Sequence, residues 1–193
     1  LTGILADAQN KRFTYEYKFI PDSTNAADVK TEMMNLDTSP SGSKFYSNTV
    51  YHSDSIMKVD LEKQLANTGM INIKPDSRKG FVRYSVSKKY PKYETSLHNR
   101  LLADKYRVAD ERPINWKISS DKQKIGEWNV QKAETDFAGR HWIAWFTTEI
   151  PIQDGPYKFR GLPGLIVKIE DQTKSHIFNL QGIKNIDSIP GDI

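Results

Sequence analysis

Four histidines, His52, His98, His141 and His176, are the side chains whose type best suits proton transfer near neutral pH. No two of them stand at a separation that places both imidazoles on one helix or strand face. The run His52-Ser53-Asp54-Ser55 holds the residue types of a catalytic triad. Neighbours at the start of a helix point in different directions, however, and cannot form a triad by themselves. Ser53 and Asp54 read instead as helix-capping residues. Glu149 and Asp154 precede the Gly155–Asp171 segment, and Glu170 and Asp171 close it, without the dense Asp/Asn alternation of a calcium loop. Asp154-Gly155 reads as a turn. The chain has no cysteine, so thiolate nucleophiles, thiolate metal sites and disulfides are excluded. No metal-ligand cluster and no cofactor fingerprint stands in the sequence. An enzyme built on this chain would assemble its site from distant residues, with His141 near Glu149 or Asp154 the first constellation to test.

The stretch Gly155–Asp171, GPYKFRGLPGLIVKIED, carries the densest unusual spacing. Glycines that cradle phosphate lead into a helix with Lys and Ser or Thr, whereas these lead into the β-branched run Leu165-Ile166-Val167. A structural corner fits better. Pro163 and Gly164 suit the two central positions of a type II turn, with Gly164 at positive φ and Gly161 permitting close backbone approach. From Pro151 to Gly164, fourteen residues hold three prolines and three glycines. Long loops of that composition are commonly functional. Tyr157, Phe159, Arg160, Leu162 and Pro163 are therefore candidates for a ligand or partner loop, with Gly155, Gly161 and Gly164 as its turn residues. The alternative is a stiff corner that packs Tyr157 and Phe159 over the open end of a sheet.

These residues need a frame. Thirty-seven per cent hydrophobic residues in 193 suffice for one domain with a core. The formal charge of +4, from 28 basic and 24 acidic residues, is spread along the chain and not gathered into tracts, which argues against a nucleic-acid partner. No apolar run approaches the roughly 20 residues that span a bilayer, so any membrane association is expected to be peripheral. In RFTYEYKFI, Phe13, Tyr15, Tyr17 and Phe19 share one strand face. Val29–Asp37 and Lys44–Val50 read as a hairpin around TSPSGS. A helix is expected between Ser53 as cap and Gly69 as terminator, its Ile56, Met57, Val59, Leu61 and Leu65 lying against a sheet. Strands are expected at Gly80–Val86, Lys92–Asn99, Lys105–Ala109, Ile114–Ile118, Glu127–Glu134, Arg140–Thr147, Gly164–Glu170 and Ser175–Gln181. The fold class is mainly β (α+β): a strongly curved antiparallel sheet or half-barrel of about ten strands with one covering helix.

The segment Ile125–Asp171 as a whole, with Gln-Lys-Ala, Ala-Trp-Phe-Thr, Glu-Ile-Pro and Gly-Pro-Tyr-Lys-Phe before GLPGLI at Gly161–Ile166, resembles the GLPGLI family, as does the aromatic first strand. That family consists of exported Gram-negative proteins with no established molecular function, and it supplies no catalytic residues to carry over. Val130 stands where many relatives have Cys. The resemblance implies an exported protein, periplasmic or outer-membrane associated, and agrees with a signal-peptidase-like Ala6-Asp7-Ala8. Residues 1–8 then read as a signal-peptide remnant or leader, 9–185 as the domain, and 186–193 as the start of a C-terminal extension. The strand-rich pattern also resembles the half-barrel of envelope lipoprotein carriers, in which Trp142, Trp145 and Leu165 would line the concavity and 56–65 or 151–164 would cover it. Three functions follow as expectations: a non-enzymatic binder of an apolar small molecule or peptide, an interaction module for another envelope protein, or a hydrolase.

Overall fold

A computed structural model describes residues 9–73, 79–101 and 104–191. Residues 1–8, expected as a signal-peptide remnant or leader, lie outside the described residues. Eleven strands form one antiparallel sheet with a single helix among the described residues. In chain order these are β1 (Lys11–Phe19), β2 (Lys30–Ser39), β3 (Gly42–Ser47), α1 (Asn48–Thr68), β4 (Ser85–Lys89), β5 (Glu94–Leu101), β6 (Asp104–Asp110), β7 (Lys117–Ile125), β8 (Trp128–Phe137), β9 (Arg140–Thr147), β10 (Leu165–Asp171) and β11 (His176–Asn185). Their order across the sheet is β6-β5-β4-β3-β2-β1-β11-β10-β9-β8-β7, so the sheet is open, with β6 and β7 as its edges. Among the described residues no helix is both long and apolar enough to cross a membrane.

Curvature follows from two contacts made by adjacent loop residues. Lys158 donates to Asp110 on β6 at 2.6 Å, while the Phe159 ring lies 4.7 Å from that of Trp142 on β9. On a flat sheet those strands would be eight spacings, or ~38 Å, apart. Only a curled sheet brings both to one loop. The core fills its concave face. One apolar rung crosses Phe13, Leu36, Phe45, Val86 and Leu97 on five successive strands. A second runs through Tyr17, Phe178, Ile169, Ala144 and Ala133.

The strand pattern of the sequence holds with shifts. The β3 hairpin arm ends at Ser47, and Val50 belongs to α1. β4 begins five residues after the expected Gly80, because Phe81 and Val82 spend their backbone N–H groups on the Glu32 carboxylate rather than on a ladder. β7 is long and almost wholly exposed, an edge strand without the alternation that marks a half-buried one.

The helix departs most. Ser47, not Ser53, caps α1, accepting from the Val50 amide at 3.0 Å. Ser53 is buried and accepts from the Lys79 amide at 2.9 Å. Gly69 closes the helix in the left-handed conformation as expected. Ile56, Val59 and Leu65 are exposed while Met57 and Leu61 are half-buried, so the expected stripe is not covered as a whole; α1 packs mainly by its first turns against β2 and β3. The concave face is covered by the 148–164 connection between β9 and β10.

Candidate functional site

That connection is held by a polar rung. Ser43, Lys88, Thr95 and Asp110 lie side by side on β3, β4, β5 and β6 and face the concave side. Each meets the loop. Asp154 is wholly buried and accepts from Ser43 (2.5 Å), Tyr90 (2.5 Å), its neighbour's Gly155 amide (2.7 Å) and Lys88. Lys88, also wholly buried, donates further to the carbonyls of Gly155 and Phe159. Burial pushes the Lys88 ammonium below its ordinary value, against the pull of Asp154. Arg160 Nε donates to Thr95, and Lys158 to Asp110. The Arg112 and Lys158 hydrogen bonds hold the Asp110 carboxyl well below the usual range, outweighing its burial.

Gly164 takes the expected positive φ, at +159°, but the close approach expected at Gly161 is not there. Gly161 has φ +90° with open space where a Cβ would stand, so it supplies a second positive φ. A Cβ on Gly164 would lie 2.0 Å from the Thr147 carbonyl oxygen, so Gly164 supplies the close approach. Gly164 donates to Leu162 two residues back, a tighter closure than the four-residue type II turn. Gly155 is confined by the Ile166 side chain.

The loop fills the middle of the concave face and leaves a cavity of about 370 Å³ at one end. Tyr17, Tyr84, Leu97, Ala138, Arg140, Trp142, Tyr157, His176 and Phe178 line it. Tyr17 stacks on Phe178 with centroids 4.1 Å apart, and Tyr84 meets Tyr157 edge-on at 5.7 Å. Tyr157 holds a left-handed φ of +54°, an uncommon backbone for a non-glycine residue. The hydroxyls of Tyr84 and Tyr157 have no hydrogen-bond partner among the described residues. Arg140 donates one Nη to Asp171 at 2.8 Å, and the rest of its guanidinium is uncommitted among the described residues. Asp171 is fixed by Thr173 and by the His176 amide. Burial raises its carboxyl, but those hydrogen bonds and Arg140 bring it below the ordinary value. His176 shares a 2.8 Å hydrogen bond with Tyr17 Oη. Burial and then Arg140 push its imidazole below the usual value. The cavity thus offers aromatic faces, one half-tied cation and three hydroxyls. Among the described residues no cluster of three metal-ligating side chains stands anywhere.

Of the expected loop residues, only Tyr157 reaches this cavity. Phe159 and Leu162 are buried in the core, Arg160 is spent on Thr95, and Pro163 is exposed. Trp142 lines the cavity, but Trp145 does not join it: three residues on, it points to the other face. Leu165, opposite Thr147, is wholly buried in the core and does not line the cavity. His141 pairs with Asp136 at an exposed turn, Glu149 bonds Asn129, and Asp154 belongs to Lys88, so the expected His141 constellation does not assemble. Arg140, His176, Phe178 and Tyr84 were missed as site residues. The strand period carried a signal for two of them, since Arg140 shares a face with Trp142 and His176 with Phe178.

Residues 139–168 match a family model described as a protein of unknown function (Porph_ging). Comparison with curated protein sequences gives no match. Two solved structures, described as the structure of PNGF-II in the P21 and C2 space groups, superpose with TM-score 0.65 at 16% identity. They cover 95% of this chain, which spans 29% of theirs. At that identity the likeness concerns the fold.

Proposed function

We propose that this chain is a non-enzymatic binding module, of GLPGLI type and exported to the periplasm or outer membrane, that takes an apolar ligand bearing one acidic group. The observation that carries this reading is the half-tied Arg140 at the wall of an otherwise aromatic cavity. Its volume falls in the range of small-molecule and peptide-side-chain sites, which combine apolar walls with a few placed polar groups. Asp171 holds one Nη of Arg140 and leaves the remaining donors for a carboxylate. A short peptide ending in an apolar residue meets these requirements. The exported location rests on the GLPGLI resemblance, whose motif lies largely within the matched residues 139–168.

The test is a Trp-fluorescence titration with N-acetyl-phenylalanine and with its neutral amide. Saturable binding of the acid, weakened about tenfold by amidation or by Arg140→Gln, is expected for one charge-assisted contact. Equal binding of acid and amide removes the acidic requirement, and no binding of either sinks the reading.

A second reading, an interaction module, is favoured by exposed Ile56, Val59 and Leu65 on α1 and by Met70, Ile71 and Ile73 after it. The Tyr157–Phe159 loop is not its surface, because Phe159 is buried.

A further inference from the structure

The convex face of β4–β6 carries a second constellation. Ser85, His98 and Arg107 form one rung across these three strands. The neighbouring rung is Lys44, Ser87 and Ser96 on β3, β4 and β5. Serines therefore make a shallow floor, and long cationic side chains make the walls. A groove of about 260 Å³ is lined by Arg83, Ser85, His98, Asn99, Lys105, Tyr106 and Arg107. No carboxylate is in that lining, and among the described residues none lies within ion-pair distance of Arg83, Lys105 or Arg107. An adjoining cavity shares Arg83 and Ser85, adds Lys44, and has Asp54 as its one acid.

Three arginines elsewhere are tied to carboxylates, whereas Arg83 and Arg107 stand together on one face with no such partner among the described residues. Arg12 is paired with Asp37, Arg112 and Lys158 with Asp110, and Arg140 with Asp171. Like charges gathered on one sheet face repel each other, which disfavours the fold unless something compensates them. The orienting contacts leave donors available. Arg107 gives Nε to Ser96 at 3.1 Å, keeping both terminal nitrogens. His98 is fixed through Nε2 to Ser87 at 2.8 Å. Burial, followed by the fields of Arg107 and Lys44, pushes the His98 imidazole below its ordinary value.

We propose that this convex groove is a binding site for a phosphate-type oxyanion, held by Arg83, Lys105 and Arg107 with Ser85 as a hydroxyl donor. Guanidinium forks match the paired oxygens of such a group, and the small floor lets it approach the sheet. The site is on the opposite face from the aromatic cavity and stands independently of the function proposed for that cavity.

The test follows the His98 ring resonances by NMR at fixed pH and low salt. Inorganic pyrophosphate is one probe; phosphatidylcholine vesicles with and without phosphatidic acid are the other. The site predicts saturable shifts of His98 with pyrophosphate, affinity reduced about tenfold by either Arg83→Gln or Arg107→Gln, and no change with Lys132→Gln on distant β8. Additional retention on phosphatidic-acid vesicles, lost in the same two variants, identifies a lipid headgroup as the source. Pyrophosphate binding without vesicle retention identifies a soluble phosphate compound. Absence of saturable shifts up to 10-millimolar-scale probe, or shifts that persist unchanged in both arginine variants, overturns the proposal. Unchanged amide spectra of the variants away from the groove exclude misfolding as the cause.

Discussion

Replacing Asp154 by Asn perturbs the attachment of the loop to the sheet while keeping the side chain's size. Lys88 would retain the carbonyls of Gly155 and Phe159 but lose the charge that compensates it, in a position with no solvent exposure. Removing one member of a buried ion pair costs about 3–5 kcal/mol, because the remaining charge is left uncompensated. That is a large share of the roughly 5–15 kcal/mol that stabilises an ordinary domain. With a urea dependence of about 1–3 kcal/mol per molar, the unfolding midpoint drops by at least about 1 M. Lys88→Met alone should be similarly costly, leaving Asp154 to Ser43, Tyr90 and the Gly155 amide. The combination Lys88→Met/Asp154→Asn removes both charges and keeps an acceptor for the two hydroxyls. It should recover about 2 kcal/mol or more relative to the sum of the singles. Chemical denaturation of the four proteins measures this coupling. Strict additivity, or a cost below about 1 kcal/mol for Asp154→Asn, refutes the claim that this pair fastens the loop.

Gly164→Ala should destabilise by about 3 kcal/mol or more, since its Cβ would meet backbone at Thr147. Gly161→Ala, where only φ is at issue, should cost about 1 kcal/mol in the same urea assay. Phe159→Ala, in the core, should cost about 3–5 kcal/mol, and Trp145→Ala on the other face distinctly less. His176 should titrate below about 6.5 by NMR, with Arg140→Gln moving its midpoint upward. Because the unfolded chain takes up that proton at higher pH than the folded one, its contribution to stability is complete above about 6.5 and declines as pH falls through the folded midpoint.

The sequence made the sheet legible because period-two alternation survives wherever one face is buried, as in β1 and β9. It misled at α1, where Ile56, Val59 and Leu65 recur at helical spacings yet remain exposed. Apolar spacing reports which residues share a face, not whether another surface is present to cover it. The polar rung was hidden for the opposite reason. Lys88 and Asp110 stand at inward strand positions where an apolar residue is the rule, and only the loop that reaches them across the curl explains their presence. The aromatic cavity was half legible. Tyr17 and Trp142 were recognisable as inward residues, but their meeting with Tyr84 and Tyr157 depends on closure between distant strands, which no local pattern encodes. The motif glycines read as structural, with the positive φ at Gly164 as expected and the close approach expected at Gly161 falling to Gly164 instead.

Native mass spectrometry of the protein isolated gently from cells that express it tests the cavity most directly, with Leu97→Trp as a variant that fills the space from β5. The account predicts a reproducible added mass on the unaltered protein that disappears on organic extraction, belongs to an acidic apolar compound and is absent from Leu97→Trp. A clean apo mass for both proteins, under conditions that preserve a known carrier's cargo, or an adduct equally present on the filled variant, would contradict it.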